Sequence, residues 1–340
     1  MTRRHRRPLT LLALVAAAIG LAGCGELHAR LTPAKGTVQP FTLMLDFYPN
    51  ADHVGLYEAL ANGYFRQAAL DVHVEVPSNP AEPLALLAAG KVDAAISYEP
   101  EVMLARNRGV PLVSVAAIVQ RPLTSIISLG SQHITSPEQL RGKTIGTAGI
   151  PYQNAYLKTI LAKAHVPRSS VRTVNVGFNL VPAMLSGRVN ATLGGYWNYE
   201  AIELRLDHRH PDVIPVNDAG VPTYDELVLV VRKGTIVDQT SLIRRFVQAL
   251  GRGYEAVRAN PVAAVRTLVR ANPSLSYRLQ LASVRATLPY YFPGGGRPWG
   301  WQSASQWNAF GEWMLRNHLI SNPLAVIDAS TNELLAGQGV

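Results

Sequence analysis

The run FTLMLDFYPNADHVGLYEALANGYFRQAALDVHVEVPSNPAEPLALLAAGKVDAAISYEPE, residues 41–101, decides the fold. It opens on an apolar strand, 41–47, that ends in a polar, aromatic turn holding Asp46, Phe47, Tyr48, Pro49, Asn50 and His53. A helix over about 53–68 follows, with Val54, Tyr57, Leu60, Ala61 and Phe65 on one face and Gly63 near its end. A strand at 71–76, a helix at about 81–90 and a strand at 94–98 complete the run, which closes on Tyr98 and Glu99. Strands alternating with helices over short connections specify an α/β unit. In an open parallel sheet the side chains just beyond the carboxyl ends of the strands line the ligand crevice. Two such ends here carry ring faces together with hydrogen-bonding groups, which suits a small, flat, polar ligand.

Downstream the alternation continues, with a helix at about 99–107, a strand at 112–119 and an apolar run at 123–129. A second α/β unit starts at Ser136-Pro137-Glu138, a serine N-cap with proline at the first helical position. Its strands are read at 143–147, 171–176, 191–193 and 213–216, and its helices at about 153–163, 180–186 and 198–206. The strand ends again carry ligand-type groups, in Gly149-Ile150-Pro151-Tyr152 and Gly194-Gly195-Tyr196-Trp197. The halves echo each other: GKVDA at 90–94 and GRVNA at 187–191 each feed a strand from a helix end. Two similar α/β lobes therefore flank a cleft, with 123–129 and 227–231 as the crossing strands. Lobe one is expected from 41–127 plus 229–336 and lobe two from 128–228. Beyond residue 240 the pattern is helical, at 241–258, 261–270, 277–287, 303–317 and 323–328.

The first 24 residues are a different object. Arg3, Arg4, Arg6 and Arg7 precede an apolar run, Leu9 to Leu21, which closes on Leu-Ala-Gly-Cys at 21–24. That is the layout of a secretory signal rather than of a spanning helix. Cys24, the only cysteine, sits at the cleavage point, so the chain has no internal disulfide. The pattern resembles a bacterial lipoprotein box, which would place the protein outside the cytoplasmic membrane, held by lipid on Cys24 without spanning it. Residues 25–40 read as a tether. Removing the segment lowers the formal charge from +9 to about +5. No basic run interleaved with aromatics remains, which argues against a nucleic-acid partner.

Six segments then match a known family in order: LDFYPNADHVGLYEALANGYF, GKVDAAISYEP, PLVSVAAIVQRPL, RGKTIGTAGIPY, GGYWNYEAIEL and WMLRNHLI with TNELL. Over residues 41–336 the chain resembles the periplasmic binding proteins for thiamine-pyrimidine precursors, which serve ABC importers and are related to sulfonate- and nitrate-binding proteins. The resemblance implies the two-lobe periplasmic-binding-protein fold of type II. It also implies a monomer that binds a small heteroaromatic solute and delivers it to a membrane permease. Other solutes, riboflavin-like or an alkanesulfonate such as taurine, remain alternatives. A eukaryotic branch of the family makes the pyrimidine from histidine and pyridoxal phosphate with iron. That branch has a lysine and a histidine where this chain has Ser97 and Glu101, and cysteines where it has PTYDELVLV. Without the amine there is no Schiff base, and without thiolates no matching iron site, so no enzyme activity or cofactor is expected.

The candidate ligand residues follow from these strand ends. Asp46 can accept the hydrogens of an exocyclic amine or cap the turn, and Asn50 and His53 stand beside it. By the family match Phe47, directly after the aspartate, is the stacking candidate. Tyr98 and Glu99 end the third strand; an unpaired buried carboxylate is costly, so Glu99 meets ligand or stays wet. Pro151 and Tyr152 start a helix whose backbone N–H groups favour an anionic or carbonyl group. Trp197 and Glu200 match an aromatic and a glutamate of the family, with the Trp197 ring expected to close a sandwich from the other lobe. Tyr224 and Asp225 are expected to reach the ligand from the hinge side. No catalytic set and no metal spacing is present; His208-x-His210 lacks a third ligand.

Overall fold

A computed structural model describes residues 38–338 other than Pro293. The signal segment, Cys24 and most of the expected tether lie outside the described residues. The first sheet's strands and helices run β1 (Gln39–Met44), α1 (Val54–Ala61), α2 (Tyr64–Gln67), β2 (Leu70–Glu75), α3 (Pro83–Ala88), β3 (Ala94–Ser97), α4 (Glu99–Asn107) and β4 (Leu112–Val119). The second unit holds β5 (Thr124–Leu129), β6 (Thr144–Thr147), α5 (Pro151–Lys163), β7 (Arg172–Asn175), α6 (Leu180–Leu185), β8 (Ala191–Tyr196), α7 (Glu200–Leu206) and β9 (Pro211–Pro215). The chain returns through β10 (Leu227–Arg232) to α8 (Lys233–Asp238), α9 (Thr240–Ala259), α10 (Pro261–Ala271), α11 (Tyr277–Thr287) and α12 (Ala304–Arg316). None of the described helices is long and apolar enough to cross a membrane.

The sheets have one plan used twice. The first has strand order β2-β1-β3-β10-β4 and the second β7-β6-β8-β5-β9. In each, three strands run parallel and a fourth runs antiparallel to both of its neighbours: β10 between β3 and β4, and β5 between β8 and β9. The chain changes sheets between Val119 and Thr124 and again between Pro215 and Leu227. All of β5 therefore pairs within the second sheet, so sheet membership changes earlier than residue 128. Because β10 is antiparallel, its first residue, Leu227, lies at the carboxyl ends of β1 and β3. That end of each sheet faces the other.

The long helix α9 anchors the first unit. Ile243, Phe246, Val247, Leu250, Tyr254 and Val257 recur at helical spacing and are buried. Phe246 stacks on Phe41 at 4.1 Å and on Phe65 at 5.1 Å. Closeness of α9 to α1 requires glycine on both sides. A Cβ on Gly253 would stand 2.0 Å from the Gly55 carbonyl oxygen, and one on Gly55 would enter the Tyr254 ring at 2.4 Å.

Two expectations change. The helix expected over 53–68 is a 3-10 turn at Ala51–His53 followed by α1 and α2, because Gly63 takes φ +67° and turns the chain. The apolar spacing runs through that break, so periodicity alone conceals it. The helix expected at 323–328 is a single 3-10 turn, Pro323–Ala325, capped by Asn322.

Candidate functional site

The carboxyl ends of the two sheets enclose a narrow cavity of about 20 Å³. That is room for about one water molecule, so a heterocycle enters only when the walls move apart. From the first sheet and its return strand come Asp46, Phe47, Asn50, Asp52, Tyr98 and Leu227. From the second come Ala148, Ile150, Tyr152, Gly194, Tyr196, Tyr199 and Glu200. Among these described lining residues there is no lysine, arginine or histidine.

Asp46 is held from both sides. Its Oδ1 lies 2.8 Å from His53 Nε2, and its Oδ2 accepts from the Tyr98 hydroxyl at 2.8 Å. The His53 Nδ1 accepts the Asn50 backbone N–H at 3.2 Å, which leaves Nε2 as the proton-bearing nitrogen. His53 is fully buried behind Asp46 and does not line the cavity. It orients the carboxylate instead. Asn50 begins the 3-10 turn, accepting from the Asp52 backbone N–H at 2.8 Å and donating to the Tyr48 carbonyl.

Asp52 was not singled out in the sequence, although it sits between two residues that were. Its Oδ1 accepts from Asn198 of the other unit at 2.9 Å and from the Tyr291 hydroxyl at 3.3 Å. Its Oδ2 is buried without a partner. Burial raises its pKa to about 7, against the smaller opposing pull of His53. Across the cavity Glu200 accepts the Tyr196 backbone N–H at 2.7 Å, and burial raises its pKa to about 8. Both carboxyls can thus carry a proton near neutral pH, and a protonated carboxyl donates as well as accepts.

The aromatic wall also spans both units. Phe47 packs edge-on against Phe178 at 4.6 Å, and Tyr98 packs against Tyr152 at 5.3 Å. Burial raises the pKa of Tyr98, Tyr152 and Tyr196, so each keeps its hydroxyl proton. Gly194 takes φ +115°, and a Cβ there would stand 2.2 Å from the Gln153 amide nitrogen. Glycine lets β8 pass at this distance and leaves the slot open.

Of the residues expected at the ligand, Asp46, Phe47, Asn50, Tyr98, Tyr152 and Glu200 meet around this cavity, and the others stand elsewhere. Trp197 points the opposite way from Tyr196, as successive residues at a strand end do. Its Nε1 donates to the Pro122 carbonyl at 3.0 Å and its ring meets Tyr290 at 5.7 Å, so no sandwich with it forms. Tyr196 and Tyr199 supply the rings on that side. Pro151 is exposed at the start of α5. Glu99 is buried and accepts the Asp225 backbone N–H at 2.7 Å. Asp225 itself accepts from Trp307 Nε1 at 2.8 Å and Gln306 at 3.2 Å. Tyr224 is fully buried and donates to Glu226 at 2.9 Å. These three pin the return strand rather than reach the cavity. No group of three or more metal-ligating side chains occurs among the described residues.

The family described as NMT1/THI5-like matches residues 50–264, more than half of the chain. The chain belongs to this family. The formylaminopyrimidine-binding protein of Halalkalibacterium halodurans is 36% identical over 325 residues, covering 94% of this chain and 97% of its own. A 4-amino-5-hydroxymethyl-2-methylpyrimidine phosphate synthase of Saccharomyces cerevisiae is 24% identical over 262 residues, covering 74% of this chain and 76% of its own. Among solved structures, the alkanesulfonate-binding protein SsuA of Xanthomonas axonopodis pv. citri, bound to MOPS, superposes with a TM-score of 0.68 at 16% identity. That superposition covers 87% of this chain and 99% of SsuA, so the NMT1/THI5-like chain has the periplasmic-binding-protein fold. In this NMT1/THI5-like chain Ser97 lies buried in β3 and Glu101 accepts the Tyr152 backbone N–H at 2.8 Å. Neither supplies an amine for imine chemistry.

Proposed function

We propose that this chain is a non-catalytic solute-binding protein of an ABC importer. Its ligand would be a thiamine-pyrimidine precursor, an aminopyrimidine or its formylated derivative, delivered to a membrane permease. The observation that carries the reading is the cavity's lining: three carboxyl groups, Asp46, Asp52 and Glu200, set among aromatic rings with no cationic side chain among the described lining residues. An aminopyrimidine presents an exocyclic amine, which donates, beside a ring nitrogen, which accepts. A protonated carboxyl answers both at once, its carbonyl taking the amine hydrogen and its O–H meeting the ring nitrogen. Asp46, whose two oxygens already bind His53 and Tyr98, retains lone pairs for further donors. The 36% identity to a formylaminopyrimidine-binding protein over nearly the whole chain supports the same ligand class.

A sulfonate would find carboxyls rather than cations in this slot, so we favour the pyrimidine over the alkanesulfonate. In this reading the two lobes close on the ligand, with the exchange falling in the segments before β5 and β10, a few residues ahead of the 127/128 and 228/229 bounds. Closure draws on contacts made by both lobes at once. Residues 1–23 would be removed and Cys24 lipidated, holding a monomeric binding domain on the outer side of the cytoplasmic membrane.

Isothermal titration of the purified protein with aminopyrimidines, riboflavin, taurine and an alkanesulfonate tests this. Binding confined to the pyrimidines supports the reading. Binding of a sulfonate, or of riboflavin, in preference to every pyrimidine overturns it.

A further inference from the structure

The N-terminus of α5 forms one wall of the cavity, with Ile150 and Tyr152 lining it. A helix of 13 residues with a free first turn would ordinarily attract an anion there. In this chain the donors of Pro151, Tyr152 and Gln153 in that turn are absent or already engaged. Pro151 has no N–H. The Gln153 N–H returns to the Ile150 carbonyl at 3.1 Å. The Tyr152 N–H donates to a Glu101 carboxyl oxygen at 2.8 Å.

Glu101 comes from α4, a helix of the first unit, and only 8% of it is exposed. It thus brings an acid of the first unit onto the backbone donor of Tyr152, a residue of the cavity wall, from behind the lining itself. We propose that Glu101 is a specificity-determining residue: by occupying the first turn of α5, it makes the cavity accept neutral amino-heterocycles and reject phosphate, sulfonate or carboxylate derivatives. A second, independent feature points the same way, since Asp46, Asp52 and Glu200 line the cavity and the described lining residues offer no compensating cation. Burial raises the Glu101 pKa to about 7, and in either protonation state an oxygen remains to hold the Tyr152 N–H. The inference rests on the pyrimidine reading for its ligands, but its anion arm does not.

The test compares wild type, Glu101→Gln and Glu101→Ala. Each is titrated with 4-amino-5-hydroxymethyl-2-methylpyrimidine and with its phosphate ester, and each is melted with and without inorganic phosphate. Wild type is expected to prefer the alcohol to the ester. Glu101→Ala, which frees the N–H, should narrow that preference by about 10- to 100-fold, the worth of a hydrogen bond to a charged group. It alone should also melt higher in phosphate. Glu101→Gln keeps an acceptor on the N–H and should preserve the preference within a few-fold. The proposal is overturned if wild type binds ester and alcohol equally, or if folded Glu101→Ala keeps the wild-type ratio. If no pyrimidine binds any form, the ligand reading fails and the phosphate melts decide alone: a response in Glu101→Ala only supports the proposal. A response in none, or in wild type, ends it.

Discussion

Glu226 accepts both the backbone N–H and the hydroxyl of Thr124, each at 2.8 Å, and so ties the outgoing chain crossing to the returning one. The same carboxylate takes the Leu123 N–H at 2.6 Å and the Tyr224 hydroxyl at 2.9 Å, with no exposure to solvent. Thr124 spends its single hydroxyl proton on Glu226, so the Tyr152 hydroxyl, 2.9 Å away, donates to Thr124. Tyr152 lines the cavity, which places the candidate site two hydrogen bonds from the crossings between the sheets.

Removing that knot should be severe. Glu226→Ala leaves several buried donors without an acceptor, each costing about 1–3 kcal/mol. We expect a loss of about 3–5 kcal/mol, the sum of several such donors after partial relaxation. Glu226→Gln keeps one good acceptor and should lose less. Chemical denaturation of the three proteins reads the order directly, and an unperturbed Glu226→Ala midpoint would remove Glu226 as the tie between the two crossings.

His53 should act on ligand affinity without touching ligand. Its Nε2–H fixes one oxygen of Asp46, leaving the carboxylate aimed into the slot. Asp46→Asn is expected to weaken aminopyrimidine binding by about 10- to 100-fold, as loss of a charge-assisted hydrogen bond does. His53→Gln, which can still donate to Asp46, should cost less than His53→Ala. Equal losses in the two histidine variants would mean that packing, not the bond to Asp46, explains the effect.

The α/β alternation, the repeated plan of the two halves and the strand-end position of the candidate cavity were all legible in the sequence, because each follows from local periodicity and from where loops leave a sheet. Side-chain direction was not. Trp197 and Tyr196 are adjacent and equally aromatic, and only the pairing of β8 with β5 decides which ring turns inward. Asp52 was hidden for another reason. Its role depends on Asn198, 146 positions along the chain, and on Tyr291, neither of which spacing connects to it. Glu99 and Asp225 look like ligand acids until the approach to β10 is seen to dock on the start of α4, where Glu99 accepts the Asp225 backbone N–H while Trp307 and Gln306 hold the Asp225 carboxylate.

Trp197 supplies a sharp contrast to the lining tyrosines. Trp197→Phe deletes its hydrogen bond to the Pro122 carbonyl but no cavity surface. It should lower stability by about 1 kcal/mol and leave ligand affinity unchanged. Tyr196→Ala or Tyr199→Ala should instead reduce affinity, since their rings line the slot. Titration and melting of the same three variants separate the two effects. A Trp197→Phe protein that loses affinity while Tyr196→Ala keeps it would reverse which ring faces the ligand.

The buried acids give the stability a definite pH dependence. Burial raises Asp52, Glu101 and Asp225 to about 7 and Glu200 to about 8 in the folded chain, from ordinary values near 4. A folded pKa above the unfolded one means that the folded state holds the proton more tightly. The resulting stabilisation is fully present below the unfolded value and is lost as pH rises through the folded value. Between about pH 5 and pH 7 each such group lowers stability by at most about 1.4 kcal/mol per pH unit, the unfolded chain having released a proton that the folded chain retains. The melting temperature of the ligand-free protein should therefore fall from pH 5 to pH 9. Glu200→Gln and Asp52→Asn, neutral at every pH, should each flatten that fall and close on or overtake wild type at the alkaline end. A melting temperature that climbs across this window, or a slope that both variants leave intact, would mean that these carboxyls are already ionised in the folded protein. The hydrogen-bonding scheme for the aminopyrimidine would then have to be redrawn around acceptors alone.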